Sequence, residues 1–310
     1  MKKDVFPIRQ FPTRWIRFAM LAMIAIVWSS SVGCQPKEEG SNNNPANVSG
    51  PDDGNDPEEE VAKPLEATFT ETIPPSLVDF EMVLVPVSED SDETPFYIGK
   101  TEVTWDEFEY WALCKDIKEK KAILEREKKL RPSAPHDIDR IYRGWGSTKQ
   151  PVVGVSRLAA ERYCDWLSEQ TGKTYRLPTP TEWDRAFVAG GGTLAEVSDK
   201  NALKEVSWFV DNTFDDETFD NRAMQVAKKQ PNKLGIHDML GNVAEWVSGD
   251  EDKKVARGGS FLTKASELTG NHTDVEDQAV WNKNYPNEPK SLWWYVDADY
   301  VGFRVVCDAK

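Results

Sequence analysis

Residues 235–250, GIHDMLGNVAEWVSGD, constrain the fold of this chain more than any other stretch. Asp238 and Glu245 stand seven residues apart in it, and Ile236, Met239, Leu240, Val243 and Trp246 surround them. Gly241 and Asn242 interrupt helix and strand alike, because both favour turn and left-handed backbone. A segment this apolar and this irregular reads as a buried loop. Such a loop must satisfy its own carbonyls, since an unpaired buried polar group costs free energy. Two arrangements are open. The two carboxylates cap turns or pair with Arg and Lys. Alternatively they hold a hard cation, because Ca²⁺ takes about six to eight oxygens and mixes carboxylates with backbone carbonyls.

The 310 residues suffice for one large domain or two ordinary ones. Twelve Trp, with 19 Gly and 19 Pro, predict a loop-rich fold whose core rests on large aromatic rings more than on long helices. A net charge of −15 argues against a nucleic-acid-binding surface, which needs a basic face. It argues equally against electrostatic attachment to anionic lipid.

The first 33 residues read as an export signal. Lys2, Lys3, Arg9, Arg14 and Arg17 form a positive region, followed by the uncharged apolar run FAMLAMIAIVW at 18–28. That run is too short for a membrane span, which needs about 20 residues, and suits a signal peptide. Ser31-Val32-Gly33-Cys34 resembles a bacterial lipobox, with Ser31 standing where Leu is usual. Cleavage before Cys34 and acylation of its sulfur would anchor the chain to a membrane. The expected location is therefore that of an exported bacterial lipoprotein facing the periplasm or the cell exterior. Removing five basic residues and Asp4 takes the net charge from −15 to near −19. Residues 34–75 are polar and acidic and predict a disordered linker, with the folded domain running over 76–310. Beyond Cys34 the cysteines are Cys114, Cys164 and Cys307, which allow at most one disulfide of unspecified pairing.

Within the domain, FEMVLVPV at 80–87 and Phe96-Tyr97-Ile98 read as strands. Thr104 with Glu107 forms a capping box that opens a helix. The charge-dense stretch 115–131 reads as a solvated helix. Ser156 caps a helix that ends at Gly172, and Thr179, Pro180 and Glu182 open another that ends at Gly190. The triple Gly at 190–192 follows a helix rather than a strand, so it is not a phosphate loop. His136, His237 and His272 show no metal-ligand spacing, and no GxSxG, HExxH or Walker pattern is present.

Six stretches in order, FYIGKTEVTWDEF, PVVGVSRLAAERYCDWL, RLPTPTEW, GIHDMLGNVAEW, RGGSF and VGFRV, resemble the formylglycine-generating enzyme family, the sulfatase-modifying factor domain. The resemblance covers roughly residues 80–307. It implies a compact α+β fold of low regular secondary structure, related to the C-type lectin arrangement. It also implies structural calcium. One site would use the side chains of Asp238 and Glu245 with the carbonyls of Gly241 and Val243. A second would use Asn212, the carbonyl of Thr213, and Asp220. The family's catalysts oxidise a sulfatase cysteine to formylglycine through a Cys pair that binds Cu(I). The matching positions here are Thr263 and Leu268, which are not thiolates, so copper is not expected and no catalytic residue is assigned.

The expectation is a pseudoenzyme-like binding or scaffold lipoprotein. Its partner would be an envelope protein, a peptide or a glycan, reached through Trp281, Trp293, Trp294 and Tyr295 unless these rings are core. The alternatives are a formylglycine-generating oxidoreductase and a structural subunit of an envelope complex.

Overall fold

The structure, a computed structural model, describes residues 65–87, 93–117, 131–132, 144–193, 199–250 and 252–309. The chain divides into residues 1–60 and 61–310, and all described residues belong to the second unit. The signal sequence, Cys34, most of the linker, and most of the charged stretch 115–131 lie outside them. Among the described residues no helix is long and apolar enough to cross a membrane.

The domain mixes short strands and helices, as the α+β expectation requires. Strand β1 (Thr68–Ile73) pairs antiparallel with β2 (Val78–Val85), and β2 with β3 (Phe96–Gly99). The last strand of the chain, β11 (Val306–Asp308), enters between β3 and β4 (Tyr175–Arg176). The sheet order is thus β1-β2-β3-β11-β4, with β11 an interior strand. Strand β1 falls inside the stretch read as linker, so the folded part reaches back from the expected Ser76 to Thr68. Glu71 holds β1 in place by accepting hydrogen bonds from Tyr175 at 2.5 Å and Lys173 at 2.6 Å.

The helices begin where their caps are. Helix α1 (Trp105–Ala112) follows Thr104, whose N–H and hydroxyl both donate to Glu107. Helix α2 (Arg157–Thr171) starts at Ser156, whose hydroxyl accepts the Ala159 N–H, and stops at left-handed Gly172. Helix α3 (Pro180–Ala189) has the predicted capping box of Thr179 and Glu182. A further helix, α4 (Lys200–Val206), capped by Asp199, has no counterpart in the sequence expectations.

A second sheet has the order β10-β7-β8-β9, formed by β7 (Ala244–Trp246), β8 (Val255–Arg257), β9 (Thr273–Val275) and β10 (Val301–Gly302). A separate hairpin joins β5 (Phe214–Asp215) to β6 (Asp220–Asn221), and helix α5 (Gln278–Trp281) follows β9.

The core is aromatic, as composition indicated. Trp105, Trp111, Trp166, Trp183, Trp246, Trp281, Trp293 and Trp294 are all buried. Phe108 lies against Trp111, Tyr163, Trp294 and Phe303, with ring centroids 5.2–6.2 Å apart. Such edge-to-face contacts add to the burial of area itself. Trp281, Trp293, Trp294 and Tyr295 are therefore core residues and not the lining of a groove. Trp281 packs against Trp246, and Trp294 stacks on Trp105.

Candidate functional site

The loop at 235–246 is the place where distant segments meet. Asp238 and Asn242 take left-handed backbone, with φ of 57° and 53°. Gly241 also has positive φ, and a Cβ on it would lie 2.0 Å from the Trp208 carbonyl, so only glycine fits. Asn242 is fully buried and fully used. Its carbonyl Oδ1 accepts the Met224 N–H, and its amide donates to Glu102 and to the Met224 carbonyl.

Glu245 follows on β7 and has no exposure. It pairs with Arg304, which is equally buried. Arg304 donates through Nε to Oε2 at 2.6 Å and through Nη2 to Oε1 at 2.5 Å. The indole N–H of Trp183 donates to the same Oε2 at 2.7 Å. Arg304 spends two further donors on the carbonyls of Gly99 and His237. This is the pairing arrangement left open for Glu245, and it takes three of the carboxylate's four or so lone-pair positions.

Asp238 uses only half of its carboxylate. Oδ2 accepts the Ala227 N–H at 2.8 Å, while Oδ1 is buried without a partner in the structure. Glu102 is in the same condition, with Oε1 accepting from Asn242 and Oε2 buried without a partner. Burial pushes the Glu102 carboxyl well up, the neighbouring Asp238 charge adds to this, and Arg304 opposes it. Asp238 is raised by burial as well, against the Ala227 N–H and Arg304. Burial works against the Arg304 charge, but Glu245 outweighs it and holds the guanidinium protonated.

The cluster Glu102, Asp238, Glu245 and Arg304 thus draws on three of the sequence stretches, and Trp183 adds a fourth. Glu102, Trp183, Asn242 and Arg304 carried no assigned role in the sequence reading. One signal was present: a lone Arg within the apolar VGFRVVC predicts a buried partner.

The other predicted positions are held by contacts of their own. Asn212 accepts the Phe209 N–H through Oδ1 and donates to the Ser207 carbonyl. Thr213 is buried, and its carbonyl accepts the Arg222 N–H. Asp220 is exposed and accepts the N–H of Asn221. Thr263 and Leu268 do converge. Both line Gly259, where a Cβ would meet Leu268 at 2.7 Å and Thr263 at 3.1 Å. His272 contacts the same glycine, but its ring nitrogens face Asp274 at 3.3 Å and the Glu267 carbonyl at 2.9 Å. Among the described residues, no three His, Cys, Asp or Glu side chains gather as a metal centre. A cavity of about 260 Å³ is lined by Glu161, Cys164, Asp165, Tyr175 and Arg176, none of them a predicted site residue.

Comparison with known proteins agrees with the convergence of these stretches. Inactive C-alpha-formylglycine-generating enzyme 2 of Bos taurus is 31% identical over 171 residues, which is 51% of this chain and 50% of that protein. Serine/threonine-protein kinase pkn1 of Chlamydia pneumoniae is 28% identical over 161 residues, 45% of this chain and 24% of that one. The chain therefore spans about half and about a quarter of these relatives' lengths. Among solved structures, Treponema denticola variable protein 1 has a TM-score of 0.51 at 19% identity, a likeness of fold covering 79% of this chain and 100% of that one. Residues 81–309 match the model of the sulfatase-modifying factor enzyme 1-like domain, and the chain belongs to that family.

Proposed function

We propose that this protein is a non-catalytic member of the family, a membrane-held lipoprotein whose domain binds a partner and whose metal is structural. The observation that carries this reading is the chemistry beside Gly259. Where the resemblance places the catalysts' thiol pair, this chain has a hydroxyl and an isobutyl group. Thr263 spends its hydroxyl on the Ser260 N–H at 2.9 Å, and Leu268 is fully buried in the second apolar cluster. Neither side chain binds a soft cation. The similarity to a mammalian protein named as an inactive formylglycine-generating enzyme supports the same reading. The test is a sulfatase-derived CxPxR peptide incubated with the purified protein and Cu(I). No peptide aldehyde is expected by mass spectrometry, and robust formylglycine formation would overturn the reading.

Calcium belongs to this proposal through Asp238. Three buried carboxyl groups, Glu102, Asp238 and Glu245, face one guanidinium. With all ionised, two negative charges remain uncompensated, and burying unpaired charge is costly. A divalent cation would remove that excess. Asp238 Oδ1, the carbonyls of Gly241 and Val243, and the remaining lone pair of Glu245 would hold it. The set of Asn212, Thr213 and Asp220 already carries local hydrogen bonds, so the first set has the stronger claim.

Attachment through Cys34 completes the proposal and rests on the lipobox-like SVGC. In cells, Cys34→Ser is expected to move the protein from the membrane fraction to the soluble fraction. Unchanged membrane retention of that variant would count against the acyl anchor.

A further inference from the structure

Among the described residues, the exposed aromatic rings are not the tryptophan cluster but two phenylalanines on the β5–β6 hairpin. Phe214 is 58% exposed and Phe219 is 80% exposed. The hairpin does not need either ring to hold its shape. Asp215 closes the turn by accepting the N–H groups of Glu217 at 2.8 Å and Thr218 at 3.3 Å, and its carbonyl accepts the Phe219 N–H at 2.8 Å. Arg222 braces the same carboxylate at 3.0 Å. These contacts hold the Asp215 carboxyl below its usual range, chiefly through the Glu217 N–H. Phe219 also sits at φ 57°, a conformation that is costly for a bulky side chain and that no burial of its ring repays.

A third apolar side chain is held nearby. Leu262 is 44% exposed, and its loop is tied to the base of the hairpin on both sides of that residue. The Thr213 hydroxyl donates to the Phe261 carbonyl at 3.1 Å, and the Val210 N–H to the Thr263 carbonyl at 3.2 Å. The hairpin itself is mostly acidic. Residues 211–222 contain Asp211, Asp215, Asp216, Glu217 and Asp220 against Arg222 alone, and Arg222 is spent on Asp215. An apolar centre with a charged rim is the anatomy of a protein-docking surface, in which exposed aromatics supply the anchors and the rim selects the partner.

We propose that the β5–β6 hairpin docks a basic polypeptide segment of another protein, with Phe214 and Phe219 gripping an apolar side chain and the carboxylates pairing with flanking Lys or Arg. The charge chooses this occupant. A second copy of the chain would bring the same acidic hairpin to a symmetric contact. Anionic lipid and nucleic acid would be repelled. The inference rests on the reading of this domain as a binding module.

The test begins with a random-peptide display library panned against the full-length protein in EDTA. Recovered peptides are expected to combine Lys or Arg with aliphatic or aromatic residues. Their affinity, measured by fluorescence anisotropy, should fall about ten-fold or more in Phe214→Ala/Phe219→Ala. It should fall comparably in Asp216→Asn/Glu217→Gln, and when salt rises from about 0.1 to about 0.5 M. Because all these side chains are exposed, the variants should melt at the wild-type temperature. Recovered peptides without basic residues, or affinity unchanged in both variants, would overturn the proposal. So would Phe-dependent binding to anionic phospholipid vesicles, or self-association that the double Ala variant abolishes. The formylglycine assay separates the two readings. Aldehyde formation by a protein that still binds basic peptides defeats only the non-catalytic reading, and an inert protein that binds none defeats only the hairpin.

Discussion

Glu107 shows how one residue joins a local rule to the chemistry of the interior. It caps α1 by accepting from the N–H and hydroxyl of Thr104, and it does so while buried. Burial raises its carboxyl from 4.5 to about 7, against the Thr104 bonds that lower it. Its folded-state value thus lies above its unfolded one. Between these values the folded chain holds a proton that the unfolded chain has lost, so stability falls as pH rises from about 4.5 to about 7. The full effect is on the order of 3 kcal/mol. Glu107→Gln keeps an acceptor for the cap and removes the titration. Urea unfolding should find it more stable than wild type at pH 8, by up to about that amount, with the gap closing near pH 4.5. A gap that does not change with pH would refute this account. The cap itself was legible from the spacing of Thr104 and Glu107. The pH dependence was not, because the burial of Glu107 comes from segments elsewhere in the chain.

Elements meet at the Glu245–Arg304 pair, which fastens β7 to the segment between β10 and β11. Arg304 also clamps the end of β3 through the Gly99 carbonyl. Removing one member leaves a buried charge without its partner, at a cost of about 3–5 kcal/mol. Arg304→Met should therefore be destabilised by about that much in urea unfolding, or accumulate poorly. Arg304→Met combined with Glu245→Gln should recover part of the loss, because Gln still accepts the Trp183 N–H. Strictly additive losses would mean that the two side chains do not act as a pair. The carboxylate was conspicuous in the sequence. Its partner, 59 residues away, could not be chosen from spacing, and a metal ligand and an ion-pair member look alike there.

For the whole molecule, the calcium proposed at the excess of buried carboxylate over guanidinium would make stability a function of that ion. A ligand that binds only the folded state adds about 2.7 kcal/mol when it stands at about 100 times its Kd. For a domain of this size that is a rise of roughly 5–10 °C in melting temperature. EDTA should lower the melting temperature by about that amount, Ca²⁺ should restore it, and Asp238→Asn should shrink the difference. No response to EDTA or Ca²⁺ would remove calcium from the proposal. In that case the two carboxyls with partnerless oxygens, Glu102 and Asp238, would have to be held neutral by protons.

The sequence by itself determined the family, the α+β class, the capped helices, the aromatic core and the buried character of residues 235–246. These follow from local signals, such as cap spacing, periodicity and glycine at positions that admit no side chain, which a chain carries wherever it folds. Only the tertiary structure decided that Glu245 answers Arg304, that Glu102 and Asp238 each keep a partnerless oxygen, and that the tryptophans lie inside while Phe214 and Phe219 lie outside. Those outcomes depend on which distant surfaces come together, since burial and charge pairing belong to contacts between segments. The interior carboxylates of GIHDMLGNVAEW thus acquired partners that no spacing encodes, and the exposed aromatic rings fell to a hairpin that the resemblance had marked only through Asp220 as a calcium ligand.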